Sequence, residues 1–254
     1  MGSLNKEPED YARLLLSNLN LDQAGDLQAI LSALRLTVRE DSVDSFEGAL
    51  VCRLDRSKGV IVLSNSITDE GRRRFTVLHE VGHYILPGHG KISCKSSEIE
   101  SNDFRLSPQE QEANRVASEL LLPTRLVYQI VRDRKATIAL ASQLAAKFGT
   151  SLTAAALKVV SVTDEASALV WSSGNYSRWV KRNDNFHKFI PTGRLDSNTF
   201  AAGLSSSTGE TREREGYVFA DSWLNDASSG NEKIWEDSIF LPNYDAVLTI
   251  LTQN

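Results

Sequence analysis

The stretch His79-Glu80-Val81-Gly82-His83 places the tightest demand on how this chain can fold. It matches H-E-x-x-H, a pattern that holds a metal ion only when it is helical. A helix sets residues i and i+4 on one face, so His79 and His83 can offer two ring nitrogens to one ion. Glu80 then lies beside the pair, where a carboxylate can take a proton from water. Two histidines and one carboxylate leave a coordination position open, as a catalytic rather than a structural zinc requires. Manganese suits the same donors. The competing reading is an ordinary amphipathic helix that happens to carry two histidines and a glutamate.

The surroundings favour a site. Apolar residues recur at helical spacing over residues 8–36 (Tyr11, Leu14, Leu15, Leu19, then Leu27, Ile30, Leu31, Leu34), which predicts two helices broken between Asn20 and Gly25. Residues 48–54 and 60–64 read as a hairpin about the turn residues Asp55 to Gly59. Thr68-Asp69-Glu70 offers a cap and an acidic first turn to the motif helix, which Pro87-Gly88 ends. Residues 89–106 are polar and irregular and predict an exposed loop. Ser107-Pro108-Gln109-Glu110 starts a helix that runs through Leu122 to Pro123. Another helix follows over residues 124–133. Residues 136–160 then read as helix, turn at Phe148-Gly149-Thr150, and helix, the outline of a helix-turn-helix. From residue 165 onward, strand-like runs (168–171, 217–220, 246–251) alternate with turn residues. Trp171, Trp179, Trp223 and Trp235 all lie in this part, which predicts a second, mixed α/β domain with a sheet.

Two histidines on a helix need a third protein ligand. Of the other histidines, His89 in Pro-Gly-His-Gly reads as a surface-loop residue and His187 as structural or exposed. The acidic helix start is the better source. Glu110 and Asn114 are four residues apart, so Glu110 can reach the metal while Asn114 hydrogen-bonds a ligand histidine and fixes its tautomer. Glu112 is the alternative ligand. It lies about 200° around the helix from Glu110, so the two cannot both face one ion. Read without a metal, the cluster is a helix N-terminus stabilised by acidic side chains. Tyr84, an arginine among residues 72–74, or a residue of the second domain is the candidate stabiliser of the transition-state oxyanion.

Arg73-Arg-Phe-Thr-Val-Leu-His-Glu-Val-Gly-His-Tyr84, followed by Glu110-Gln-Glu-Ala-Asn-Arg-Val-Ala-Ser-Glu-Leu-Leu-Leu-Pro123, resembles the ImmA/IrrE family of metallopeptidases. The chain departs at Val116, where the family usually has an aromatic residue. The likeness covers most of residues 45–160 and continues loosely to the end. The resemblance implies an α+β chain in three parts. These are a zincin-like metallopeptidase domain over residues 1–123, a helix-turn-helix segment over 124–163, and a GAF-like sensor or interaction domain over 164–254. It further implies a Zn2+ (or Mn2+) endopeptidase that cuts a helix-turn-helix repressor in response to DNA damage or mobile-element signals. His79, His83 and Glu110 would hold the metal, Glu80 would act as general base, and the last domain could take a small-molecule signal.

Composition narrows the partners. A formal net charge of -5 argues against a protein that coats nucleic acid. Residues 151–160, where a recognition helix would lie, offer only Ser151, Thr153 and Lys158 for base contacts, so direct DNA binding is disfavoured. No apolar run reaches the ~18–20 residues that span a bilayer, and the polar start is unlike a signal peptide. With Cys52 and Cys94 the only cysteines, the chain reads as cytoplasmic with reduced thiols. Two rivals stand beside the peptidase: a non-proteolytic regulator that uses the peptidase fold as a scaffold, and a DNA-binding regulator.

Overall fold

The computed structural model describes residues 6–43, 46–89, 92–94, 107–205, 210–225 and 231–253. The chain divides into two compact units, Met1–Thr124 with Ala146–Ser151, and Arg125–Ala145 with Leu152–Asn254. No helix among the described residues is long and apolar enough to cross a membrane.

In the first unit, α1 (Pro8–Asn18) and α2 (Leu27–Ala33) occupy the two helical stretches that the sequence predicts, with Asp26 accepting from the Ala29 N–H at the start of α2. A four-stranded sheet follows, built from β1 (Leu36–Asp41), β2 (Gly48–Cys52), β3 (Gly59–Ser64) and β4 (Ile92–Cys94) in the order β1-β3-β2-β4. The hairpin β2–β3 is antiparallel, and β1 pairs parallel to β3. β1 is a strand that the sequence reading leaves out: Leu36 is buried but the next five residues face solvent. β4 falls inside residues 89–106, read above as loop. The rest of that stretch apart from His89 lies outside the described residues.

The motif helix α3 (Glu70–Ile85) begins where the Asp69 carboxylate accepts from the Arg72 N–H at 2.7 Å. α4 (Pro108–Leu121) begins where Ser107 Oγ accepts from the Glu110 N–H at 3.3 Å. Both are side-chain caps on otherwise unsatisfied donors. α1 braces α4 along its length. Arg115 pairs with Glu7 and Glu9, and Arg13 Nε donates to Glu119 at 3.1 Å. Glu119 also accepts from the backbone N–H and hydroxyl of Thr124, turning the chain at Pro123.

Three helices follow in sequence: α5 (Thr124–Val131), α6 (Ile138–Phe148) and α7 (Leu152–Val162). In the second unit, a six-stranded antiparallel sheet is built from β5 (Ser167–Ser173), β6 (Tyr176–Arg182), β7 (Gly193–Arg194), β8 (Arg212–Phe219), β9 (Lys233–Leu241) and β10 (Ala246–Thr252). Their order is β7-β6-β5-β10-β9-β8. Gly174 and Asn175 both adopt positive φ between β5 and β6, the two-residue turn whose twist matches a hairpin. One apolar core gathers Val170, Val218, Ile234, Phe240 and Val247 with the short helix α8 (Phe200–Ser205) and Trp223. α7 packs on β5, β6 and β10 through Ala155, Ala156, Val159 and Val160.

β9 also carries two buried acids. Glu236 accepts from Trp223 Nε1 (2.9 Å), from the Phe200 and Ala201 N–H groups (3.1 and 2.7 Å) and from Ser238 Oγ (2.9 Å). Burial nonetheless pushes its carboxyl above the usual range. Asp237 accepts from the Ile138 N–H at 2.7 Å at the start of α6. Burial pushes its carboxyl up to about 6, with Glu215, Glu213 and Glu236 adding to the rise.

Candidate metal centre

The site is built where α3 crosses α4. Gly82 lies at the crossing. A Cβ there would sit 3.0 Å from the Ala113 carbonyl oxygen and 3.1 Å from its Cα. The bare backbone lets α4 come close enough for Glu110 to reach His79 and His83 across the gap. His79, Glu80 and His83 are wholly buried, and Glu110 is nearly so.

The ligand atoms converge. His79 Nε2 lies 3.0 Å from a Glu110 carboxylate oxygen and 3.0 Å from His83 Nε2, and the second Glu110 oxygen is 3.4 Å from His83 Nε2. On its far side, His79 Nδ1 faces Asn114 Oδ1 at 2.9 Å. An amide oxygen only accepts, so Nδ1 carries the proton and Nε2 the lone pair. Two imidazole lone pairs and a carboxylate at such separations repel one another unless a cation lies among them. Zinc bonds of ~2.0–2.2 Å in a tetrahedron space their ligands by roughly 3.3–3.5 Å. The observed separations come close to that, and among the described residues these three side chains form the group able to hold a metal ion.

Ionisation runs the same way. Burial lowers the His83 pKa below 6.5, with Glu110 opposing and His79 adding to the fall. Burial works against the charge on Glu110, but the neighbouring His79 and His83 rings outweigh it and hold that carboxyl far below the usual range. Neutral imidazole and ionised carboxylate are the states that bind a metal.

Glu80 turns toward β2. A Cβ on Gly48 would come within 2.9 Å of Glu80 Oε1 and 2.7 Å of Thr76 Cγ2, so the glycine at the start of β2 makes the space this carboxylate occupies. Nothing local in the sequence assigns a role to Gly48 or Gly82. Both are legible only through the atoms that approach them in the fold, side chains of α3 at Gly48 and the backbone of α4 at Gly82.

Other expectations fall elsewhere. Glu112 is not drawn into the cluster: its Oε2 sits 2.9 Å from His89 Nε2. His89, read as a surface-loop residue, is buried with 5% of its surface exposed, and its Nδ1 lies 2.8 Å from His83 Nδ1. The cause is Arg56, which holds the carbonyls of Tyr84, Leu86 and His89 and folds the end of α3 inward. Tyr84 donates its hydroxyl to the Arg56 carbonyl, away from the ligand cluster. The neighbouring arginines are also engaged: Arg72 with Glu47, Arg73 with Glu40 and the Ile67 carbonyl, Arg74 with the carbonyls of Ala24, Phe148 and Gly149. His187 uses its backbone carbonyl to accept from Arg182 in the second unit.

Comparison with known proteins gives a family and a fold. Residues 32–159 match the IrrE N-terminal-like domain that defines a peptidase family. No curated protein matches the chain. Among solved structures, a Mycobacterium tuberculosis transcriptional regulator is similar, with a TM-score of 0.55 and 14% identity over 97% of this chain and 87% of that one. At that identity the likeness is one of fold.

Proposed function

The chain belongs to the family of the IrrE N-terminal-like domain, and from that premise we propose that it is a metal-dependent endopeptidase. The observation that carries the reading is the convergence of His79, His83 and Glu110, with Asn114 setting the tautomer of His79. His79 Nε2, His83 Nε2 and a Glu110 oxygen would hold the ion, zinc in the first instance and manganese as the alternative. When bound, it would polarise the scissile carbonyl and bring the pKa of water toward ~7. Glu80, one residue from the first ligand, would take the proton of the attacking water and pass it to the leaving amine nitrogen. With Tyr84 and the three arginines committed elsewhere, the oxyanion partner would come from outside that set.

We assign the substrate class from the family resemblance: a helix-turn-helix repressor, cut in the cytoplasm to release a stress or mobile-element response. The similar mycobacterial structure carries the name of a transcriptional regulator, which suits such a setting. α6 and α7 form the helix-turn-helix segment in this reading, and residues 164–254 the GAF-like domain that takes the signal. Direct DNA reading by α7 is disfavoured, because Lys158 is buried. The scaffold reading is disfavoured by Glu80, a buried carboxylate that a pure scaffold does not need.

The test is to purify the full chain, measure its metal content, and incubate it with candidate helix-turn-helix repressors from the same genome. Metal-dependent cleavage at one position is expected, and Glu80→Gln should keep the metal and lose cleavage by roughly 10²- to 10⁴-fold. A Glu80→Gln protein that cuts at the full rate would sink the mechanism.

A further inference from the structure

We propose that Glu112 and His89 act together as a positioning pair that orients His83 toward the metal. The inference rests on the ligand reading above and deepens it. Neither residue is a ligand in this assignment. Each acts through the next.

The proton positions follow from one end of the chain. An ionised carboxylate only accepts, so at 2.9 Å from Glu112 Oε2 the His89 Nε2 must carry the hydrogen. With that proton placed, a neutral His89 ring has a lone pair on Nδ1. His83 Nδ1 lies 2.8 Å from that lone pair, so it donates. The remaining nitrogen of His83, Nε2, is then the one with the lone pair, and it faces His79 Nε2 and Glu110. Reversing the sequence would put a hydrogen on His83 Nε2 and close it to a metal.

The arrangement is built rather than incidental. The His89 side chain is 1% exposed, whereas that of Glu112 is 43% exposed. The loop that carries His89 is tied on two sides, by Arg56 through the Leu86 and His89 carbonyls and by Gln109 Nε2 donating to the Gly88 carbonyl at 3.1 Å. Gly88 takes a positive φ of 81° within it. α4 thereby serves the site three times. Glu110 faces it directly, Asn114 sets His79, and Glu112, on another side of the helix, reaches His83 through His89. Outer partners of this kind set the orientation and basicity of ligand histidines.

The experiment compares zinc affinity, by competition with a chromophoric chelator at one fixed pH, for the full chain and for Glu112→Gln, Glu112→Leu and His89→Phe. The visible spectrum of the Co2+-loaded forms is recorded in parallel, and circular dichroism checks the fold. His89→Phe should weaken zinc by roughly 10- to 100-fold and shift the cobalt bands. Glu112→Leu should weaken it about tenfold, while Glu112→Gln, whose amide oxygen still accepts, should stay within about twofold of the wild type. If Glu112→Leu matches the wild type in affinity and spectrum, or if Glu112→Gln is as weak as Glu112→Leu, the pairing is overturned. Should His89→Phe fail to fold, the two half-exposed Glu112 variants decide alone. A wild type that binds no zinc or cobalt overturns the ligand reading and the pair with it. A wild type that binds, with unaltered variants, overturns only the pair.

Discussion

Gly82 and Ala113 meet so closely that a methyl group on the first would lie 3.0 Å from the carbonyl oxygen of the second. Both obstructing atoms on Ala113 belong to the backbone of α4, so they cannot swing aside as a side chain would. Gly82→Ala should therefore push α4 away from α3. Overpacking of this kind costs about 1–3 kcal/mol, and Glu110 retreats with the helix. Urea unfolding of the metal-free protein should show the loss, and zinc affinity should fall with it. A variant as stable as the wild type, with unchanged affinity, would mean that the crossing can relax and that the glycine is not what sets it.

Asn114 and Glu110 can be separated by substitution. Asn114→Ala leaves all three ligand atoms in place but removes the acceptor at 2.9 Å from His79 Nδ1. Zinc should then bind about 10- to 100-fold more weakly. Asn114→Asp, which still accepts, should bind near the wild-type level. Glu110→Gln removes a ligand and should lose more than either. Isothermal titration with zinc gives the ranking, and an Asn114→Ala protein equal to the wild type would remove the residue from the site.

Much of this arrangement is legible in the chain because its signals are local. The spacing of His79 and His83, the caps Asp69 and Ser107, and the four-residue step from Glu110 to Asn114 each need only one helix to be read. The illegible parts depend on remote partners. His89 lies among Pro87, Gly88 and Gly90, which signals a loop, yet Arg56, thirty-three residues earlier, buries it. Tyr84 looks available until that same residue's carbonyl takes its hydroxyl. β9 escapes because Glu236-Asp237-Ser238 interrupts its apolar pattern; the donors that make those charges tolerable come from Trp223, α8 and the start of α6. Gly174-Asn175 is the exception, a local hairpin signal that the sequence reading passes over.

Acid should weaken the metal-free protein in two stages. His83 has its pKa lowered by burial, so below pH 6.5 the unfolded chain takes up a proton that the folded site refuses. Stability is present above that pH and lost as the pH falls toward the lowered value. Glu110, also lowered, adds its loss below its ordinary value of 4.5. Urea midpoints taken from pH 7.5 down to 4 should decline first below 6.5 and more steeply below 4.5. His83→Gln should flatten the first stage. If that variant follows the wild-type curve throughout, His83 is not the group responsible.

Asp237 should behave in the opposite sense. Its carboxyl, pushed up to about 6 by burial and by Glu215, Glu213 and Glu236, is more easily protonated in the folded protein than in the unfolded chain, where 3.8 applies. The stability it contributes is complete below 3.8 and is lost as the pH rises through about 6. Asp237→Asn keeps an oxygen for the Ile138 N–H at 2.7 Å and removes the buried charge. The variant should gain on the order of 2–3 kcal/mol over the wild type at pH 8, and the gain should shrink toward zero by pH 4. Thermal unfolding at the two pH values measures the difference. A gain that is equal at both, or a loss at pH 8, would show that the carboxylate is held by interactions stronger than the burial that opposes it.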